Sequence, residues 1–175
     1  MPSRLRVSCG WLVGVLVFAL SRPHWLSLLA GVPLLAAGEL LRLWASGHIE
    51  KTQRLATGGP YAHTRNPLYL GSVLMALGLA VAAASPWVVL AVGLYLLAFY
   101  PAVIREEAAF LRGRFPDYGI WAAAVPLFLP RPTPAGPRAS RFDWSRVRAN
   151  REWRTALALP LLVTLLYVRG RFLPW

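Results

Sequence analysis

The chain has 175 residues, of which 57% are hydrophobic and 15% charged, and its formal net charge is +12. This composition excludes an ordinary soluble domain, because apolar residues in such excess need the bilayer as their solvent. The basic residues are almost all arginine and lie between apolar runs, so we interpret them as topology signals and lipid-headgroup contacts, and we predict no nucleic-acid partner.

The first apolar segment, 5–21, follows Arg4 and contains Arg6 and Cys9. A cleavable signal peptide is one alternative for such a segment. Gly10 and Gly14 have the small-xxx-small spacing with which membrane helices pack, which favours a retained helix. Because Cys9 is the single cysteine, the sequence excludes an internal disulfide framework and a multi-cysteine metal site, and we predict no metal.

The following apolar segments predict four more membrane helices. Residues 67–104 carry no charge, and this stretch is about twice the roughly 20 residues that one span needs. We therefore predict a helical hairpin that turns at Ser85–Pro86, since proline disfavours a continuing helix. The five predicted spans are 5–21, 24–46, 67–84, 86–104 and 155–169.

Two long polar segments accompany these spans. We interpret residues 105–130 as a cytoplasmic catalytic segment and residues 131–154 as a linker followed by an interfacial helix. The proline-rich run from Arg131 to Pro137 is incompatible with helix. The run from Phe142 to Arg154 is basic with interleaved tryptophans, which predicts a helix lying on anionic headgroups.

The distribution of basic residues predicts the topology. Sixteen of the nineteen basic residues fall on one side of the predicted bundle, and only Arg22, Arg169 and Arg171 fall on the other. The positive-inside rule then places the N-terminus and both polar segments in the cytoplasm. Arginine in large excess over lysine indicates a GC-rich bacterial genome. We therefore predict an all-α, polytopic bundle, a single domain over residues 1–175, in a bacterial inner membrane.

Three clusters on the cytoplasmic side carry possible chemistry. Glu39 and Arg42 are three residues apart near the end of a span, so they either pair with each other or form a functional site. The polar stretch 58–71 is either a plain capped loop or an anion site at a helix N-terminus. Residues 105–107, Arg-Glu-Glu, form either a solvated charge group or a site for an ammonium or sulfonium cation.

These clusters, in this order, resemble one family: the integral-membrane methyltransferases that include isoprenylcysteine carboxyl methyltransferase and phospholipid N-methyltransferases. The resemblance covers about residues 38–131. Asn66 stands where the isoprenylcysteine enzymes commonly have histidine, which argues against an isoprenylcysteine acceptor. The matching stretches are Gly38 to Trp44, Gly59-Pro60-Tyr61, Arg65 to Gly71, Glu106-Glu107, Phe115 to Tyr118, Val125-Pro126 and Leu129-Pro130.

The resemblance implies S-adenosylmethionine as methyl donor and an isoprenoid or phospholipid-like acceptor that enters from the bilayer at the cytoplasmic face. It implies Arg65, Arg105 and Glu107 as catalytic residues. Glu39 and Arg42 are implied to bind the acceptor, and Glu106 and Glu107 to hold the methionine ammonium. The implied donor-binding residues are Tyr61, His63, Asn66, Pro67, Tyr69, Gly71, Glu106, Glu107 and Tyr118.

Two other functions stay open at this level. A membrane reductase of the steroid-reductase type has a related helical layout but uses NADPH. A non-catalytic membrane subunit or lipid-binding scaffold would use the polar clusters as helix caps and interfacial ion pairs. The identity of the acceptor and the oligomeric state do not follow from the sequence.

Overall fold

The computed structural model describes residues 3–50, 54–135 and 141–172. Over these ranges the chain is helical and has no strand, which confirms the predicted all-α fold class. A 3₁₀ turn lies at Gly59–Ala62. The helices are α1 (Ser3–Leu20), α2 (Trp25–Ser46), α3 (Pro67–Ala83), α4 (Pro86–Arg114), α5 (Tyr118–Ala124), α6 (Trp144–Ala149) and α7 (Trp153–Phe172).

Within the described residues, three helices, α2, α4 and α7, are long and apolar enough to cross a membrane. The apolar part of α1, Ser8–Leu20, and helix α3 are shorter, so the predicted count of five spans is not confirmed. Leu97 is 75% exposed and Leu157 is 65% exposed. Apolar side chains exposed on this scale indicate contact with lipid.

The bundle has two ends. At the far end, where α1 leads into α2 and α3 into α4, the Arg22 amide donates to the Ala83 carbonyl at 2.7 Å. Arg169 of α7 reaches the same end, where its Nε donates to the Ser21 carbonyl at 3.1 Å. The near end therefore contains the C-terminus of α2, the N-terminus of α3, the last turns of α4 and the N-terminus of α7.

Helices α2 and α3 pack backbone to backbone through glycines. A Cβ at Gly31 would lie 2.5 Å from the Gly78 carbonyl oxygen, and a Cβ at Gly38 would lie 2.5 Å from the Gly71 carbonyl oxygen. Side chains at these positions would force the helices apart, and membrane helices use small residues in this way because apolar burial drives little association in lipid. The crossing fixes the register that brings the end of α2 beside the start of α3.

The turn between α3 and α4 is found at the predicted place. Helix α3 ends at Ala83, and Ala84 adopts a left-handed conformation with φ 47°. Pro86 begins α4, where its missing amide hydrogen is tolerated. Helix α4 has 29 residues, which at 1.5 Å per residue is about 43 Å and exceeds the hydrocarbon thickness. The charge-free part of α4 ends at Ile104, so the excess length falls at the last turns, which carry Glu106 and Glu107.

Two predictions for the outer segments need correction. Gly10 packs on α4, since a Cβ at this position would lie 3.4 Å from the Tyr95 hydroxyl oxygen, but Gly14 has nothing within 4 Å, so only half of the predicted packing pattern is used. The predicted interfacial helix 142–154 is not continuous: α6 has six residues, and Arg151 breaks the helix with φ 58°. A separate helix, α7, then begins at Trp153.

Candidate functional site

The near end contains a cavity of about 590 Å³, a size within the usual range for small-molecule sites. It lies between the end of α2, the loop that follows α2, the start of α3, the last turns of α4, and α5. Its lining residues are Arg42, Ile49, Glu50, Arg54, Leu55, Ala56, Tyr61, Arg65, Asn66, Pro67, Leu68, Tyr69, Glu107, Phe110, Leu111, Phe115 and Trp121.

Residues predicted from separate clusters line this one cavity. Tyr69 belongs to the first turn of α3 and Glu107 to the last turns of α4, and both reach the cavity. The predicted residues found in the lining are Arg42, Tyr61, Arg65, Asn66, Pro67, Tyr69 and Glu107.

The loop before α3 is held in place by the chain that follows α5. Trp121 donates its indole N–H to the Tyr61 carbonyl at 3.3 Å. The Arg65 amide donates to the Pro126 carbonyl at 2.9 Å. The 3₁₀ turn and α5 thus form one packed unit below the cavity, and Tyr61 and Arg65 have fixed backbone positions.

Two buried polar atoms of the lining lack partners. The Tyr61 hydroxyl and Arg65 Nε are buried without a hydrogen bond to any described residue. Tyr61 as a whole is 5% exposed. Burial raises the pKa of the Tyr61 phenol above its ordinary value, and the nearby Glu107 carboxylate raises it further. The phenol therefore stays protonated, and a ligand with hydrogen-bond acceptors would satisfy both donors.

The N-terminus of α3 is open toward the cavity. Asn66 is the N-cap residue, but its side chain makes no capping bond. Instead, the Asn66 side-chain amide nitrogen donates to the Leu127 carbonyl at 2.8 Å. Pro67, Leu68 and Tyr69 of the first turn all line the cavity. An uncapped helix N-terminus carries partial positive charge and free amide donors, which suit an anionic group such as a carboxylate.

Some charged side chains of the lining form ion pairs within the protein and others do not. Glu50 forms ion pairs with Arg54 at 3.0 Å and with Arg146. These guanidinium groups, Arg54 foremost through its hydrogen bond, hold the pKa of the Glu50 carboxyl below its ordinary value. No ion pair joins Glu107 to another residue in the described ranges. Glu107 and Arg65 thus present opposite charges to the cavity.

Arg42 does not pair with Glu39, its neighbour along the helix. Arg42 pairs with Glu152 at the start of α7, with Nη2 to Oε1 at 2.6 Å and Nε to Oε1 at 2.7 Å. Glu39 is buried, and neither carboxylate oxygen has a hydrogen-bond partner in the described part of the chain. The local pairing considered from the sequence is therefore wrong, and Glu39 does not line the cavity.

The remaining predicted residues lie near the cavity but outside its lining. His63 Nδ1 donates to the Arg131 carbonyl at 2.8 Å. Arg105 Nε donates to the Pro101 carbonyl at 3.1 Å, and Glu106 is exposed on α4. Tyr118 is buried against the Trp121 ring. The cavity lining therefore does not support the donor-contact roles predicted for His63, Glu106 and Tyr118 or the catalytic role predicted for Arg105.

Gly71 also has a different neighbour from the one the family resemblance implied. A Cβ at Gly71 would lie 2.6 Å from Arg42 Cγ and 2.7 Å from the Gly38 carbonyl oxygen. The close approach that Gly71 permits is therefore that of α2, and the residue does not line the cavity.

Several cavity residues escaped the sequence analysis. Glu50 and Arg54 lie in the loop after α2, where a charged residue normally indicates no more than solvent exposure. Phe110 and Leu111 lie one turn beyond Glu107 on α4, and Phe115 is the residue that directly follows the helix. Helical spacing from Glu107 would have placed Phe110 and Leu111 on its face. Glu152 carried no sequence signal that linked it to α2.

A family-model match covers the segment that forms most of the cavity. Residues 41–117 match the family model described as phospholipid methyltransferase. This segment runs from the end of α2 through the loop, α3 and α4, and it contains most of the cavity lining. The resemblance predicted from the sequence is confirmed over this segment.

Two curated proteins are similar to the chain. It is 40% identical over 103 residues to the cobalt-zinc-cadmium resistance protein CzcN of Cupriavidus metallidurans. The aligned residues make up 58% of this chain and 46% of that relative. It is 35% identical over 103 residues to the nickel-cobalt-cadmium resistance protein NccN of Alcaligenes xylosoxydans xylosoxydans. Here the aligned residues make up 58% of this chain and 47% of the relative. The chain therefore spans about half the length of these relatives. No solved structure matches the chain.

Proposed function

We propose, from the family match over residues 41–117, that the protein transfers a methyl group from S-adenosylmethionine to a lipophilic, isoprenoid or phospholipid-like acceptor at the membrane face. The observation that carries the proposal is the near-end cavity, where Tyr61 and Arg65 present buried donors without partners opposite the Glu107 carboxylate. This face is the cytoplasmic one under the topology predicted from the arginine distribution.

The residues of the cavity fit the amino-acid part of this donor. Its carboxylate needs hydrogen-bond donors, which Arg65, Tyr61 and the open N-terminus of α3 supply. Its ammonium needs an anion, which Glu107 supplies. Satisfying a buried, unpaired donor recovers about 1–3 kcal/mol, so binding at this place stabilises the protein as well as the ligand.

The apolar side of the cavity suits a lipophilic acceptor. Phe110, Leu111 and Phe115 of the α4 end line it. Phe110 is 56% exposed, so this wall continues onto the outer surface of the bundle at the membrane edge. An acceptor lying in the bilayer can then bring its polar end to the cavity while its chain stays in lipid.

When bound, S-adenosylmethionine supplies an electrophilic methyl group on its sulfonium. The task of the protein is to align donor and acceptor, because holding two reactants in place removes most of the entropic barrier. Glu107 and Arg65 orient the donor through its two charges. The apolar side chains of α4 exclude water from the space where the acceptor arrives.

Isothermal titration calorimetry of the protein in lipid nanodiscs tests the proposal. We expect S-adenosylmethionine and its demethylated product, S-adenosylhomocysteine, to bind. Glu107→Gln removes a charge-assisted bond of about 1.5–3 kcal/mol and should weaken binding roughly 10- to 100-fold. Asp117→Asn is the matched control, since Asp117 is exposed and makes no side-chain cap bond.

Wild-type protein that binds neither compound contradicts the proposed function. Stabilisation by NADPH alone would instead favour the reductase. The names of the curated relatives concern metal resistance. In residues 3–50, 54–135 and 141–172, no group of three or more His, Cys, Asp and Glu side chains is placed to hold a metal ion, and we do not propose metal binding for this chain.

A further inference from the structure

The guanidinium of Arg42 connects three elements around the cavity. Nε and Nη2 bind Glu152, and Nη1 donates to the Ser72 hydroxyl and to the Leu68 carbonyl at 3.4 Å. Arginine has five N–H donors, so one is left without a partner among the described residues. Arg42 therefore serves mainly to join α2 to the first turns of α3 and to the start of α7.

The path of the Arg42 side chain depends on Gly71. The aliphatic part of Arg42 crosses α3 where a Cβ at Gly71 would lie 2.6 Å from Cγ. The glycine therefore provides the space through which the guanidinium reaches Leu68 and Ser72. This arrangement is built into the α2–α3 crossing, because the same glycine touches the Gly38 backbone.

Glu152, the acidic partner of Arg42, belongs to a segment outside the family match. We call residues 143–152 the brace. Asn150 donates its side-chain N–H to the Ser46 carbonyl at 3.0 Å and to the Ile49 carbonyl at 3.2 Å. Arg146 forms an ion pair with Glu50. The brace thus binds the end of α2 and the loop after it, where Ile49 and Glu50 line the cavity.

Glu152 has little contact with solvent. It is 6% exposed, and its contact with Arg42 gives it a charged partner. A carboxylate at such a site is costly unless it is paired. Glu152 itself does not line the cavity. It binds Arg42, which does, and Arg42 in turn donates to the carbonyl of Leu68, a second lining residue.

We propose that Glu152 is a positioning residue for the methyl-donor cavity. It fixes Arg42, which in turn fixes the end of α2 against the first turn of α3, whose open N-terminus receives the donor carboxylate. The proposal rests on the proposed function, and it extends the site to a part of the chain that the family model does not cover.

A double-mutant cycle on donor binding tests this role. S-adenosylhomocysteine is titrated into wild type, Glu152→Gln, Arg42→Gln and the double variant in nanodiscs. We expect Glu152→Gln to raise the dissociation constant about tenfold. Because Glu152 acts through Arg42, the same change in the Arg42→Gln background should have less than about a twofold effect. In methyl transfer, Glu152→Gln should raise the KM for the donor and leave kcat within about twofold.

The outcomes separate this inference from the proposed function. Wild-type binding with unchanged affinity in Glu152→Gln overturns the positioning role and leaves the methyltransferase proposal in place. Equal losses from Glu152→Gln in both backgrounds also overturn it, since they indicate general loosening of the bundle. Absence of binding by wild type overturns both. Asp117→Asn is again the control, and Glu152→Asp replaces Glu152→Gln in the cycle if the latter does not fold.

Discussion

Replacing Tyr61 by phenylalanine should change stability and binding in opposite directions. The Tyr61 hydroxyl is buried and has no hydrogen-bond partner in the described ranges. A buried unsatisfied group costs about 1–3 kcal/mol, so Tyr61→Phe should raise the free energy of unfolding of the ligand-free protein by about 1 kcal/mol. If the hydroxyl donates to the bound methyl donor, the same change removes about 1 kcal/mol of binding, which weakens affinity about fivefold.

Two assays on the same preparations check this prediction. Unfolding is followed by tryptophan fluorescence during heating, and binding of S-adenosylhomocysteine is followed by calorimetry. Tyr167→Phe is the control because Tyr167 lies on α7, is 51% exposed and should change neither quantity. A lower midpoint for Tyr61→Phe together with unchanged affinity would show that the hydroxyl has a partner within the protein and none in the ligand.

Three further predictions concern packing, topology and pH. Gly38→Ala places a Cβ 2.5 Å from a backbone oxygen of α3 and should cost about 1–3 kcal/mol of stability in detergent unfolding. The control Gly113→Ala meets nothing within 4 Å and should not destabilise the protein, so equal effects of the two variants would argue against the glycine crossing. In a Cys9→Ala background, an impermeant maleimide should label Arg22→Cys from outside intact cells and Gly113→Cys only after permeabilisation, and the reverse pattern would invert the predicted topology. The pKa of the Glu50 carboxyl is held below its ordinary value of 4.5, so its contribution to stability is present above that pH and is lost as pH falls through the folded pKa. The melting temperature of wild type should therefore fall more steeply below pH 4.5 than that of Glu50→Gln, and parallel curves would exclude this contribution.

The hairpin of α3 and α4 could be predicted because its signals are local. A charge-free run of two spans and a proline at the turn define both helices without reference to the rest of the chain. That Tyr69 and Glu107 line one cavity could also be predicted from the hairpin. Each lies at the same end of an antiparallel hairpin, so the topology alone brings them to one side of the membrane.

The partner of Arg42 could not be predicted because it is remote in sequence. Glu39 is three residues away and was the natural local partner, whereas Glu152 is 110 residues away. Nothing in a single sequence states which segment returns to the end of α2. The glycine at 71 was ambiguous for a similar reason, since a missing side chain admits a ligand or a second helix equally well, and the structure shows a helix.

The break between α6 and α7 had no clear sequence signal. The alternation of arginine and tryptophan from 142 to 154 is compatible with one continuous helix. The left-handed conformation of Arg151 interrupts it where the Glu152 side chain turns back to Arg42. The break thus coincides with a contact to a remote residue, which a local sequence pattern does not reveal.

The most direct test of the central claim follows the methyl group itself. Membranes containing the protein are incubated with S-adenosylmethionine labelled in its methyl group, and lipids are extracted and separated. We expect label in a lipid fraction with wild type and with Asp117→Asn, and its loss with Glu107→Gln. Label that never enters lipid, or that enters it equally with Glu107→Gln, would contradict a methyltransferase site in the near-end cavity.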